Sequence, residues 1–212
     1  MKINELIKEN SYAIYGLGLS GKSTFKFLKK NNVKKIYTWD DKKKLKINKS
    51  LSFFKKVLND VDYIVISPGI DIKKTRFESA LIKNKKKIIT DLDLFYMQKL
   101  PVKSIMVTGT NGKSTTCKLI QHVLKTNKID AQLGGNIGKP ILDLNIKKNS
   151  IAIIEASSFQ LSYLKFVKPT FATILNITKD HLDWHKTIKN YQDSKFKIFS
   201  KQDNQDKALL GK

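Results

Sequence analysis

The sequence predicts an α/β protein with an N-terminal Rossmann-like domain followed by a truncated P-loop-type central domain. Short apolar strands alternate with helices along the 212 residues, as in a parallel sheet covered on both faces. Two glycine-rich turns, Gly16–Gly21 and Gly109–Gly112, each lie between an expected strand and an expected helix. A linker around Pro101 separates the two patterns, so we expect domains at residues 1–99 and 100–212.

In the first domain the expected elements alternate in chain order. They are strands at 11–15, 35–39, 63–66 and 87–90, with helices at 22–31 and 75–83. In the second domain we expect strands at 104–108, 151–155 and 171–176, with helices at 113–126 and 190–199. Three central strands are one or two fewer than a doubly wound sheet needs. We therefore expect the second domain to be incomplete and the chain by itself to lack turnover.

Charge and composition narrow the class of partner. The net charge is +23, but Arg76 is the only arginine, and arginine is the residue that nucleic-acid readers use most for bidentate contacts. We interpret the lysines as solvated surface and expect no nucleic-acid partner, with a basic nucleic-acid-binding protein as the remote alternative. No apolar run is long enough for a membrane span, and the lone Cys117 fits a reducing compartment. We expect a cytoplasmic monomer without a membrane partner.

The first glycine turn matches two patterns at once. Gly16–Ser23 satisfies the strict P-loop pattern, and its first six residues also fit the G-x-G-x-x-G turn of a nucleotide-binding fold. Asp40 follows the second strand ~20 residues on, where a carboxylate would meet a ribose or base. We interpret this turn as a diphosphate or uridine site. The alternative is a simple P-loop NTPase that uses this turn.

The second glycine turn is the predicted ATP site. Its glycines let the backbone wrap around phosphate oxygens at a helix N-terminus, Lys113 offers a cation, and Ser114 or Thr115 offers a hydroxyl for Mg²⁺. The expected ATP-binding residues are Gly109, Thr110, Asn111, Gly112, Lys113, Ser114 and Thr115.

With both turns placed, the chain resembles the Mur ligase family from about residue 11 to residue 200. The matching segments, in order, are Gly16–Gly21, Ser67–Ile70, Gly109–Thr115, Gly134–Gly138, Glu155–Leu161, Leu175–Asp183 and Lys195. The resemblance is strongest to the members that add D-glutamate. Other Mur ligases and folylpolyglutamate-type amide ligases are the alternatives.

The resemblance implies an ADP-forming ligase of peptidoglycan precursor synthesis, which uses ATP to join D-glutamate to UDP-N-acetylmuramoyl-L-alanine through an acyl phosphate. It implies two Mg²⁺ ions, one held by Ser114 and Glu155 and one by His181 and Lys195, with Lys195 carbamylated. Lys113, His181 and Lys195 are the implied catalytic residues. The implied substrate-binding residues are Leu19, Ser20, Asp40, Ser67, Gly69, Asn136, Ser157, Ser158 and Gln160. The family also has a third domain that closes over ATP, which we expect this chain to lack.

Lys197 is the alternative to Lys195 as the carbamylated lysine, because it lies two residues further along the same expected helix. His185 is expected to be a loop histidine without a role. Asp41 and Lys42 replace the Thr-Arg that often follows the second strand in the family, so only Asp40 is carried over there.

Overall fold

The computed structural model describes residues 5–42 and 50–211, and the chain divides into two compact units, Met1–Gln98 and Lys99–Lys212. Each unit is built on one fully parallel sheet. Parallel strands end at the same edge of a sheet, so the loops that follow them come together there. Among the described residues, no helix is both long and apolar enough to cross a bilayer.

The first unit holds a four-stranded sheet in the order β2-β1-β3-β4. Its strands are β1 (Tyr12–Tyr15), β2 (Ile36–Trp39), β3 (Tyr63–Ile66) and β4 (Ile88–Ile89). Its helices are α1 (Glu5–Glu9), α2 (Leu19–Lys30), α3 (Leu51–Asp60), α4 (Glu78–Lys83) and α5 (Asp91–Met97). All four residues of β1 are buried, because this central strand is covered on both faces.

The second unit holds a five-stranded sheet in the order β6-β7-β5-β8-β9. Its strands are β5 (Lys103–Thr108), β6 (Ala131–Gly135), β7 (Ile151–Glu155), β8 (Phe171–Ile174) and β9 (Lys207–Leu210). Its helices are α6 (Lys113–Thr126), α7 (Ser158–Leu161), α8 (Leu182–His185) and α9 (Ile188–Phe196). The central strand β5 leads directly into the second glycine turn, and β7 and β8 flank it.

The expectation of only three strands in this sheet is wrong. Strand β6 ends in Gly134 and Gly135, and glycine inside a strand weakens the pattern that predicts one. These glycines permit close approach: a Cβ on Gly135 would lie 2.4 Å from the Glu155 carbonyl oxygen. Strand β9 was missed because all four of its residues are exposed. Its sequence therefore lacks the alternation of apolar and polar positions that marks a half-buried strand. As the edge strand it leaves Leu209 and Leu210 more than half exposed.

The first glycine turn also differs from the expected form. Helix α2 begins at Leu19 rather than at Lys22, so the last residues of the turn already belong to the helix. A Cβ on Gly21 would lie 1.9 Å from the Gly16 carbonyl oxygen, whereas a Cβ on Gly18 would meet nothing within 4 Å. Close packing of the start of α2 against the end of β1 therefore requires glycine at position 21. It does not require glycine at position 18.

We expect Gly21→Ala to destabilise the first unit by about 2 kcal/mol or more, because the added methyl group overpacks a backbone contact. Gly18→Ala is the matched control, with a cost below about 1 kcal/mol, since only the helix-capping preference changes. Urea unfolding followed by Trp39 emission, in a Trp184→Phe background, measures both. Equal stability of the two variants would contradict this packing.

Candidate active site

The second glycine turn forms the start of α6. Gly112 caps this helix in the left-handed region at φ 82°, where glycine is favoured. The preceding part of the turn is anchored to Asn176: the Thr110 amide donates to its carbonyl oxygen at 2.9 Å, and the Asn111 amide donates to its Oδ1 at 2.9 Å. The first N–H groups of a helix have no partner within the helix and carry partial positive charge. The turn therefore presents a site suited to phosphate oxygens.

Two lysine side chains meet at one carbonyl of this turn. The Lys113 Nζ donates to the Gly109 carbonyl oxygen at 2.9 Å and to that of Thr110 at 2.7 Å. The Lys195 Nζ donates to the same Gly109 oxygen at 2.8 Å. The glycine turn predicted Lys113 as a site residue and the resemblance implied Lys195; the structure brings the two together from helices far apart in the chain.

Lys195 is almost completely buried, at 1% exposure, and its amine lies 4.6 Å from the centre of the Tyr191 ring. Burial, and after it the nearby charge of Lys113, lower the pKa of Lys195 to about 8. Lys197 is exposed, and its amine donates to the Ser162 carbonyl oxygen. Of the two candidates in this segment, Lys195 is the one whose amine contacts the glycine turn.

Glu155 lies beside the start of α6 and is 2% exposed. Its Oε2 accepts from the Ser114 hydroxyl at 2.7 Å, and its Oε1 accepts from the Asn136 side-chain amide at 2.9 Å. Asn136 was predicted as a substrate contact; its side chain here holds the Glu155 carboxylate.

The hydroxyl of Ser114 and the carboxylate of Glu155 fit Mg²⁺, a cation that takes oxygen ligands and is often held by one or two carboxylates together with phosphates and water. Within residues 5–42 and 50–211, no group of three or more His, Cys, Asp or Glu side chains could hold a metal ion by itself. Ser114 and Glu155 thus place two oxygen donors side by side, 2.7 Å apart.

His181 precedes α8 and adopts the left-handed region at φ 51°. A non-glycine residue there is strained, and such strain is often found at functional positions. Its ring lies 4.8 Å from that of Phe159 and 6.3 Å from that of Tyr191. Tyr191 thus lies against both His181 and Lys195, the residues that the resemblance implies for the second metal.

The predicted substrate segment Ser157–Gln160 holds its own shape. Ser157 and Gln160 form a capping box at the start of α7, with the Ser157 amide donating to the Gln160 Oε1 at 3.1 Å. Ser158 is 3% exposed, and its hydroxyl is 2.9 Å from the His185 Nε2. The Ser158 side chain therefore faces the interior of the unit.

The expectation that His185 is a loop residue is wrong, because it is the last residue of α8. His185 is 4% exposed, and burial is the main cause that lowers its pKa to about 4. The residues next to His185 in the sequence gave no signal of this burial, because the side chains that cover its ring come from α7 and α9. Tyr191, a third neighbour of the site, was also missed; it lies one helical turn before Lys195 in α9.

The first glycine turn differs from the second in the placement of its lysine and its hydroxyl. Lys22 is exposed, whereas Ser23 is 4% exposed and its hydroxyl has no hydrogen-bond partner among the described residues. The hydroxyl that a P-loop would direct at a metal is therefore buried in the helix packing. The turn is instead tied to its neighbours: the Leu17 amide donates to the Asp40 Oδ2 at 2.6 Å, and the Ser67 hydroxyl donates to the Gly16 carbonyl oxygen at 2.8 Å.

The five predicted substrate residues of this unit lie in the loops after β2 and β3 or in the first turn of α2. They are Leu19, Ser20, Asp40, Ser67 and Gly69. Leu19 is 80% exposed and offers an apolar surface, whereas both carboxylate oxygens of Asp40 already accept backbone amides. Asp40 therefore holds the backbone of the loops after β1 and β2, and its contact with a ligand stays a prediction.

Comparison with known proteins adds two family matches. Residues 10–90 match the Mur ligase MurD-like N-terminal domain, and residues 107–211 match the Mur ligase middle domain. A UDP-N-acetylmuramoylalanine--D-glutamate ligase of Aquifex aeolicus is 36% identical over 200 residues, and one of a Hydrogenobaculum species is 38% identical over 202 residues. Each alignment covers 94% of this chain but 46% of the relative, so the chain spans about half the length of these relatives.

Among solved structures, a UDP-N-acetylmuramate:L-alanyl-gamma-D-glutamyl-meso-diaminopimelate ligase from Neisseria meningitides superposes with a TM-score of 0.56. The match covers 95% of this chain and 71% of that chain at 16% identity, which shows a shared fold.

The buried Lys195 predicts a change of stability with pH. The unfolded chain keeps the Lys195 proton up to the ordinary pKa of 10.5, whereas the folded chain releases it near pH 8. Between these values the unfolded state binds more protons, so this group makes the fold more stable as pH rises. We expect the wild-type chain to gain roughly 2 kcal/mol over Lys195→Met between about pH 7.5 and 9.5.

Chemical unfolding in degassed, bicarbonate-free buffer measures this gain, since CO₂ would modify a neutral amine. Lys197→Met is the control and should follow the wild-type pH dependence. The same pH dependence in Lys195→Met and wild type would contradict the burial of a cation at this position.

Proposed function

The chain belongs to the Mur ligase family, and on that premise we propose that it is part of an ATP-dependent ligase that adds D-glutamate to UDP-N-acetylmuramoyl-L-alanine in peptidoglycan precursor synthesis. The observation that carries this proposal is the convergence of Lys113 and Lys195 on the Gly109 carbonyl oxygen, beside the Ser114–Glu155 contact. The similarity to ligases named for this reaction supports the choice of amino acid.

In the proposed reaction, an oxygen of the muramoyl-alanine carboxylate attacks the γ-phosphorus of ATP, and the bond to ADP breaks. The amine of D-glutamate then attacks the carbonyl carbon of the acyl phosphate, phosphate leaves, and the nitrogen gives up a proton. The first step brings two anions together, so its barrier depends on cations that are held in place beforehand. Lys113 is such a cation, because its amine is already held at the glycine turn by the Gly109 and Thr110 carbonyl oxygens.

Magnesium would neutralise phosphate charge, with one ion held by Ser114 and Glu155 and a second by His181 and carbamylated Lys195. The structure supports the first pair through its 2.7 Å contact. For Lys195, the low pKa favours the neutral amine that reaction with CO₂ requires, and the protein holds that amine against Tyr191 and Gly109.

We assign the first unit to the UDP part of the substrate and the second unit to ATP. The exposed Leu19 and the loops that carry Asp40, Ser67 and Gly69 support the first assignment, since they gather where parallel sheets bind ligands. Asn136 and the Ser157–Gln160 segment belong to the muramoyl-alanine end in this proposal. A cytoplasmic monomer is the setting that we propose for this reaction.

The two glycine turns give opposite expectations for nucleotide binding. Lys113→Ala should weaken ATP binding by about 10- to 100-fold, because it removes a charge-assisted hydrogen bond to phosphate. Lys22→Ala should change the affinity by less than about twofold, because the Lys22 side chain extends into solvent from α2. Isothermal titration of the chain with ATP and Mg²⁺ measures both, with circular dichroism as the check on folding. The reverse ranking would move the ATP site to the first turn.

A further inference from the structure

Outside the residues assigned so far, the His185 imidazole is a polar group buried in the second unit. Its Nε2 lies 2.9 Å from the Ser158 hydroxyl, and both residues are less than 5% exposed. The Asn190 side-chain amide donates to the His185 carbonyl oxygen at 2.8 Å, which fixes the backbone of the histidine. His185 therefore holds the start of α7, where the predicted substrate segment lies.

A second buried residue, Tyr191, reaches the glycine turn. Its hydroxyl is 3.1 Å from the Thr110 Oγ1, which also accepts from the Thr178 amide at 3.0 Å. Thr110 is part of the predicted ATP turn, and Tyr191 is 1% exposed. Any shift of the turn on binding phosphate would therefore move the tyrosine hydroxyl or break its contact.

The two side chains pack directly on each other. The rings of His185 and Tyr191 meet edge to face with centres 5.1 Å apart, and Phe159 lies parallel to His185 at 5.8 Å. Closely packed interiors transmit displacement because there is no space to absorb it. A continuous buried path thus runs from Thr110 through Tyr191 and His185 to Ser158.

We propose that His185 and Tyr191 are positioning residues that couple the ATP turn to the substrate segment, so that binding of nucleotide phosphates fixes the start of α7. This inference rests on the proposed ATP site and goes beyond it, because neither residue contacts phosphate, metal or substrate in the reaction above. Coupling of this kind would stabilise the start of α7 further when the phosphate donor is bound.

Trp184 offers an internal reporter. Its ring lies 4.5 Å from that of His185 and 5.1 Å from that of Phe159. The only other tryptophan, Trp39, lies in the first unit and can be replaced by Phe. In the Trp39→Phe chain, we expect saturating ATP and Mg²⁺ to change the Trp184 emission and to slow amide hydrogen exchange in residues 158–162.

Two substitutions cut the path at different points. Tyr191→Phe removes the contact with Thr110 and should abolish both responses while ATP affinity stays within about threefold. His185→Phe keeps the ring packing and removes the contact with Ser158, so the emission response should persist and the exchange response should be lost.

Ser158→Ala breaks the same contact from the other side, which tests it if His185→Phe does not fold. Tyr163→Phe, at another ring beside Trp184, is the control and should keep both responses.

The outcomes separate the two proposals. If the parent chain does not bind ATP, the proposed ATP site is overturned and the coupling with it. If ATP binds and Tyr191→Phe responds like the parent, the coupling alone is overturned. Persistence of the exchange response in both His185→Phe and Ser158→Ala would likewise overturn the role of His185.

Discussion

The carbonyl oxygen of Gly109 is the point on which the second unit depends, because two lysine amines donate to it. The amines are no more than about 6 Å apart, and two charges at that distance repel by about 3 kcal/mol at an effective dielectric of 20. Burial of one of them lowers its pKa, which relieves part of this cost. A polyanion bound at the turn would relieve more of this cost, as the proposed ATP site requires.

The remaining contacts of the site hold this arrangement in place. Asn176 anchors the turn, Asn136 and Ser114 hold the Glu155 carboxylate, and Tyr191 supports the Lys195 amine. The parallel sheet makes these contacts achievable, since β5, β7 and β8 end side by side and their loops share one edge. A site of this kind needs several strand ends at once, which explains why its residues are spread over about ninety positions of the chain.

The sequence was informative where chemistry and local geometry coincide. The strand–turn–helix around Gly109–Ser114 could be predicted from its glycines and its helix start. Lys195 could not be predicted from local pattern, because it is one of forty lysines in the chain. Only the resemblance singled it out. The burial of His185 depends on α7 and α9 packing around it, which no local pattern encodes. Strand β6 was missed because close approach to Glu155 requires glycine where strand patterns expect branched residues.

The first turn shows that a segment can match a motif in sequence and differ from the expected form in structure. Gly16–Ser23 has the letters of a P-loop, yet α2 starts early enough to expose Lys22 and bury Ser23. The central claim is therefore that ATP occupies the second turn. A crystal structure of the chain with Mg²⁺ and a non-hydrolysable ATP analogue tests it most directly. The account predicts phosphate density at Gly112–Thr115 with the metal against Ser114 and Glu155; triphosphate density at Gly16–Ser23 instead would contradict it.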